Sequence, residues 1–107
     1  MNTEFMTATN LPPCLPLPGA MLGLPVSSTA KVMYAKLLGA VLTAGVEDAN
    51  GILFVRFPLA ELAVALGRST QTCKRALREL EAAGLILRVR QGIGAPNRIY
   101  VLVPKKD

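Results

Sequence analysis

The chain has no histidine and no tryptophan, only two cysteines, and just three Phe and two Tyr in 107 residues. Cys14 and Cys73 are too few and too far apart for a metal site, and no histidine can complete one, so neither metal nor cofactor is expected. The usual catalytic pairings are missing too. No Ser or Cys stands near a base, and the adjacent acids Glu47 and Asp48 fall in a turn that they are read as solvating. Gly92-x-Gly94 follows a strand but opens no helix, which excludes a dinucleotide loop. The chain is therefore read as no enzyme, with no small-molecule substrate.

Other scarcities bound the class. With 5% aromatic and 51% apolar residues, the core must be aliphatic. The longest charge-free run inside a helix, Leu37–Val46, is roughly half of what a membrane span needs. No Lys or Arg precedes Lys31, and prolines interrupt the apolar stretch 11–26, so a signal peptide is not expected. The reading is a protein of the reducing cytoplasm, making no membrane contact. Cys73 is expected to be buried as a small hydrophobe, and no disulfide is needed.

What is abundant is positive charge, and it is lopsided. Lys31 and Lys36 face Glu4, Glu47 and Asp48 in the first half, whereas residues 51–107 carry ten Lys/Arg against Glu61, Glu79, Glu81 and Asp107. A basic half beside a near-neutral half suits a polyanion.

The expected organisation is a leader over 1–14, one domain over 15–103 and a tail over 104–107. Four Leu-Pro dipeptides between residues 11 and 25 forbid a helix there, so an extended segment lying across the core is predicted. A first helix starts at Ser27 or Ser28 as cap and runs to about Ala44, ended by Gly45. Its apolar stripe is Val32, Ala35, Leu38, Val41 and Leu42, widened by Tyr34 and Leu37. Residues 46–51 read as a turn, and Ile52–Phe57 as a strand. A second helix over 58–66 takes Pro58 in its first turn, and Leu59, Leu62, Ala63 and Leu66 line one side. Gly67-Arg68 breaks the chain before a third helix, capped by Ser69 and running to about Ala83. Leu85–Arg90 and Arg98–Val103 alternate as two strands. Helix, strand, two helices at a tight break, then a hairpin make a mostly α fold with a small β-sheet: a winged helix-turn-helix of three helices, strand 52–57 and a two-stranded wing over 85–103.

The third helix carries the functional expectation. Cys73, Ala76, Leu77, Leu80 and Ala83 or Gly84 recur at helical spacing as a buried face. Opposite them stand Thr70, Gln71, Lys74, Arg75 and Arg78, with Ser69 and Thr72 at the margin. These are amide, guanidinium, ammonium and hydroxyl groups suited to base edges and phosphates. Glu79 and Glu81 sit toward the C-terminal end and the cations earlier, the reverse of what the helix dipole alone favours. Arg88, Arg90 and Arg98 flank the loop 91–97. Alternation groups Arg88 with Arg90 and Leu87 with Val89. In that loop Gln91, Gly92, Gly94, Pro96 and Asn97 form the candidate wing tip, which would follow a sugar-phosphate backbone or reach a minor groove. The expected partner is double-stranded DNA.

The run Ser69-Thr70-Gln71-Thr72-Cys73-Lys74-Arg75-Ala76-Leu77-Arg78-Glu79-Leu80-Glu81-Ala82-Ala83-Gly84-Leu85-Ile86, followed by Arg90-Gln91-Gly92-Ile93-Gly94-Ala95-Pro96-Asn97-Arg98-Ile99-Tyr100-Val101, resembles the N-terminal domain of plasmid replication initiator A proteins. The start of the first helix, Ser28-Thr29-Ala30-Lys31-x-x-Tyr34, is similar as well, so the likeness spans roughly residues 15–103. It implies a winged-helix domain that binds repeated sites at a plasmid origin and helps load the replication machinery. A small transcriptional regulator, or a winged helix used for protein contacts with replication proteins, stays open beside it, as does a homodimer.

Overall fold

The computed structural model describes residues 3–93 and 97–104. Helix α1 spans Ser28–Ala44. It starts where the Ser27 hydroxyl accepts the Ala30 amide and ends where the Gly45 amide bonds back to the Val41 carbonyl. Its buried face is Ala30, Met33, Tyr34, Ala35 and Leu37, with Val41 packed against the core, while Val32 is 51% and Leu42 67% exposed. Of the expected face, Ala35, Leu38 and Val41 with Tyr34 and Leu37 meet the core, and its members Val32 and Leu42 turn outward. In a helix this apolar, two overlapping series satisfy the same spacing, and only packing chooses between them.

The stretch expected to be a turn contains a two-residue strand, β1 (Val46–Glu47), paired antiparallel with β2 (Leu53–Arg56). The turn is confined to Asp48–Gly51. Asp48 is more than a solvating acid. Its Oδ1 accepts the Asn50 and Ile52 amides, at 2.8 and 3.0 Å, and its own amide bonds to the Ile52 carbonyl. These amides, the Ile52 one foremost, hold its carboxyl below the usual range.

Helix α2 (Leu59–Leu66) begins one residue after Pro58, which caps it from outside in extended conformation instead of occupying the first turn. Helix α3 (Thr70–Ala82) follows a three-residue connection. Strands β3 (Ile86–Val89) and β4 (Arg98–Val101) are antiparallel and together shorter than expected. Strand β4 also pairs with β2, so the sheet runs β1-β2-β4-β3. One core unites these elements. Met21, Met33, Tyr34, Leu37, Leu62, Cys73, Leu80 and Ile86 are its largest fully buried side chains. Cys73 is buried with a free thiol, while Cys14 is exposed.

The proline-rich segment is only partly laid on that core. Residues 3–15 are exposed, and a short 3-10 turn (Gly19–Met21) replaces fully extended chain. Met21 is the anchor, with Leu24 and Val26 packed beside it. The Lys31 ammonium donates to the Leu22 carbonyl at 2.9 Å. Upstream, Leu15 and Pro16 lie over Gly39 of α1, where a Cβ would sit 3.4 Å from each.

Candidate nucleic-acid interface

The geometry of α3 begins at Gly67. Its φ of 63° closes α2 in the left-handed region, the Arg68 amide returns to the Ala63 carbonyl, and the chain turns at once into the Ser69 cap. The Ser69 hydroxyl accepts the Thr72 amide at 3.1 Å and donates to the Thr72 hydroxyl at 2.9 Å. These two residues are therefore engaged in starting the helix, and Thr72 is half-buried. From there the helix is two-faced. Cys73, Ala76, Leu77 and Leu80 are buried, whereas Thr70, Gln71, Lys74, Arg75 and Arg78 are all exposed. Ala83 and Gly84, expected on the buried side, are exposed because the helix ends at Ala82 and the chain turns toward β3.

The two acids whose position ran against the helix dipole each have a partner. Glu79 reaches the start of α1, accepting the Ser27 amide and hydroxyl, both at 2.6 Å. Those two bonds, the hydroxyl's first, hold its carboxyl below the usual range. Glu81 pairs with the Arg88 guanidinium at 2.7 Å, which lowers its pKa likewise. Both carboxylates thus serve the back of the helix. Among the described residues, none of Lys74, Arg75 and Arg78 makes an ion pair.

The wing cations part company. Arg88 points inward from β3 and is held by Glu81, with its side chain 25% exposed. It lines, with Lys74, Arg78 and Asn97, a cleft of about 320 Å³ between α3 and the hairpin, floored by Leu77 and Ile99. Arg90 is exposed just beyond β3 and does not share the bonding of Arg88. Arg98 lies on the other face of the sheet, half-buried, with its guanidinium carbon 4.5 Å from the Phe54 ring centre. Gln91 is half-buried and donates to the Arg90 carbonyl, and Gly92 is exposed with φ 109°. Gly94 and Pro96 lie outside the described residues. The structure thus gathers Thr70, Gln71, Lys74, Arg75 and Arg78 on one open face, with Asn97 and Arg88 at its edge. It sets Arg98 apart.

Two exposed cations were not singled out from sequence, Arg56 on β2 and Arg68 in the turn before α3. Arg56 is the lone charge in an apolar strand, a signal in itself. Its cross-strand partner Arg98 becomes visible only once the sheet is assembled.

A capped helix-turn-helix followed by an antiparallel hairpin packed on the second helix defines a winged-helix domain. The chain belongs to the family of replication initiator protein A N-termini, which it matches over residues 24–105. No curated protein matches it. Among solved structures it is similar to "N-Terminal domain of DNA binding protein", with TM-score 0.76 and 16% identity, covering 99% of this chain and 88% of that one. It is also similar to "Structure of MDR initiator", with TM-score 0.73 and 23% identity over 97% of this chain and 89% of the other. "Structure of Rep-DNA complex" matches with TM-score 0.73 and 18% identity, over 97% and 87%. At these identities the likeness establishes the fold. Among the described residues no helix is long and apolar enough to cross a membrane.

Proposed function

We propose that this domain binds double-stranded DNA with the exposed face of α3 in the major groove and the hairpin loop along the neighbouring backbone, as the origin-binding part of a plasmid replication initiator. The observation that carries the reading is the division of α3. Its carboxylates are drawn backward to Ser27 and Arg88, and its cations and Gln71 face outward with no internal partner among the described residues. A merely solvated helix gains from pairing its charges at i,i+4 spacing, yet here the acids bond to other elements. The major groove admits one α-helix, and an amide and guanidinium on one face match purine edges. Membership in the initiator family and the likeness to a Rep-DNA complex support the same direction. The role is binding rather than catalysis, and its setting is the cytoplasm.

The test is a titration of duplex DNA against salt. Three to six phosphate contacts predict a log-log slope of about −3 to −5 per protomer. Replacing both Arg75 and Arg78 by Ala should lower affinity at least about tenfold at physiological salt and flatten the slope by about 2. The thermal midpoint should move by less than about 4 °C, since both side chains are exposed. A salt-independent response, or unchanged affinity in the double variant, would refute the assignment of α3. Footprinting on direct repeats against a promoter operator separates an initiator from a transcriptional regulator.

A further inference from the structure

We infer that Arg56 and Arg98, on the sheet face turned away from α1 and α3, form a second site for the phosphodiester backbone of duplex DNA. The inference rests on the DNA-binding reading and extends it to a surface that the third helix does not use.

Strand alternation separates the two faces. Val55, Ile99 and Ile86 belong to the core, so Phe54, Arg56, Arg98, Tyr100 and Val89 lie on the opposite side. Arg56 and Arg98 are paired directly across β2 and β4. Like charges in that position repel, and cross-strand pairs elsewhere are normally chosen to attract. Both guanidinium groups stand over the ring of Phe54, at 5.3 and 4.5 Å from its centre. A ring covers the flat face of a guanidinium and leaves its in-plane N–H fork free, the edge that meets a phosphate.

The donors on that edge are poorly met. Among the described residues, Arg56 reaches only the Gln91 side-chain oxygen, at 3.5 Å, and Arg98 Nη1 only the Tyr100 hydroxyl, at 3.5 Å. Arg98 Nε is buried with no partner among those residues. The nearby acid, Asp48, already accepts two backbone amides and the Tyr100 hydroxyl. Among the described residues neither arginine forms an ion pair. The Arg98 charge also helps to hold the Asp48 carboxyl low, after its hydrogen bonds, so one carboxylate stands beside two guanidinium groups and this face keeps a surplus of positive charge. A duplex continuing past the wing supplies the missing anions. The exposed Leu87 and Val89 on the same face make a protein partner the competing occupant, but apolar contact leaves the unmet N–H groups and the mutual repulsion uncorrected.

The experiment measures binding of the full chain to a random duplex of about 40 base pairs and to one of about 12, roughly a single helical turn. Both are titrated between about 50 and 200 mM salt. Arg56→Gln should lower affinity for the long duplex roughly fivefold near 150 mM salt and reduce the slope by about 0.9, with little effect on the short one. Arg56→Lys should restore the slope, because a point charge still meets a phosphate; this separates loss of charge from damage to the sheet. Equal affinity and slope for Arg56→Gln and the unaltered chain on the long duplex would overturn the inference. So would a change in sedimentation behaviour without a change in slope, which would make the face a protein contact. If Arg56→Gln is silent while the Arg75/Arg78 variant loses binding, the second site fails and the α3 reading stands. The reverse pattern keeps the site and removes α3.

Discussion

Glu79 belongs to α3 but turns away from that helix's exposed cationic face. Its carboxylate takes the Ser27 amide and hydroxyl, so the start of α1 is fastened to the third turn of α3. An acid at a helix N-terminus is favoured by the unpaired amides there, and this one is supplied by another helix. Because the folded pKa is lowered, the stabilisation is complete above the ordinary value of 4.5 and is lost as pH falls through the folded value. We expect the thermal midpoint to drop steadily below about pH 4.5. Glu79→Gln should lower the midpoint at pH 7 and make it less sensitive to acid. A melting series from neutral to pH 3 for both chains checks this, and parallel curves would show that the clamp contributes nothing.

Among the elements, the helix-turn-helix depends on a backbone that one residue type adopts easily. Gly67 holds φ 63° with open space around it, so a methyl group there meets no neighbour and its cost is conformational. Gly67→Ala should destabilise by about 1 kcal/mol, moving the thermal midpoint down by roughly 4–8 °C. A shift within error would show that the turn relaxes freely. The same pair of helices was the most legible part of the chain. Ser69, Gly67 and the strict alternation of Cys73, Ala76, Leu77 and Leu80 with polar neighbours are local signals, and local signals set helix ends and faces. Elements that depend on distant pairing were harder to read. Strand β1 is two residues long and exists because Val46 finds Phe54. The limits of the α1 face depended on packing too, since Val32 and Leu42 fit the helical spacing and yet lie outside the core. At the site, alternation grouped the wing arginines, but it could not say that Glu81 would hold Arg88 or that Phe54 would lie under Arg98. Those facts come from the order of strands in the sheet, which no stretch of sequence displays alone.

On the scale of the whole domain, the ends of the fold are joined through Tyr34. Its ring is buried in α1, and its hydroxyl donates to the Leu102 carbonyl at 2.8 Å, just past β4. Burial raises its pKa above the usual value. Tyr34→Phe keeps the packing and removes this tie. It should cost about 0.5–1.5 kcal/mol, seen as a lower denaturation midpoint with unchanged slope. Amides of β4 should then exchange faster than those of α3 relative to the unaltered chain. Uniform acceleration would mean that the bond serves overall stability rather than docking the sheet on α1.

The backward placement of both α3 acids has an outcome for how the molecule answers to acidity. Because both carboxyls are held low, only acid below the ordinary carboxylate range neutralises Glu79 and Glu81, releasing the grip of α3 on its neighbours while stripping negative charge from behind its cationic face. Coherence of the scaffold and attraction for a polyanion therefore run in opposite directions on the acidic side, and since one protonation drives both, any added attraction arrives only as the scaffold loosens.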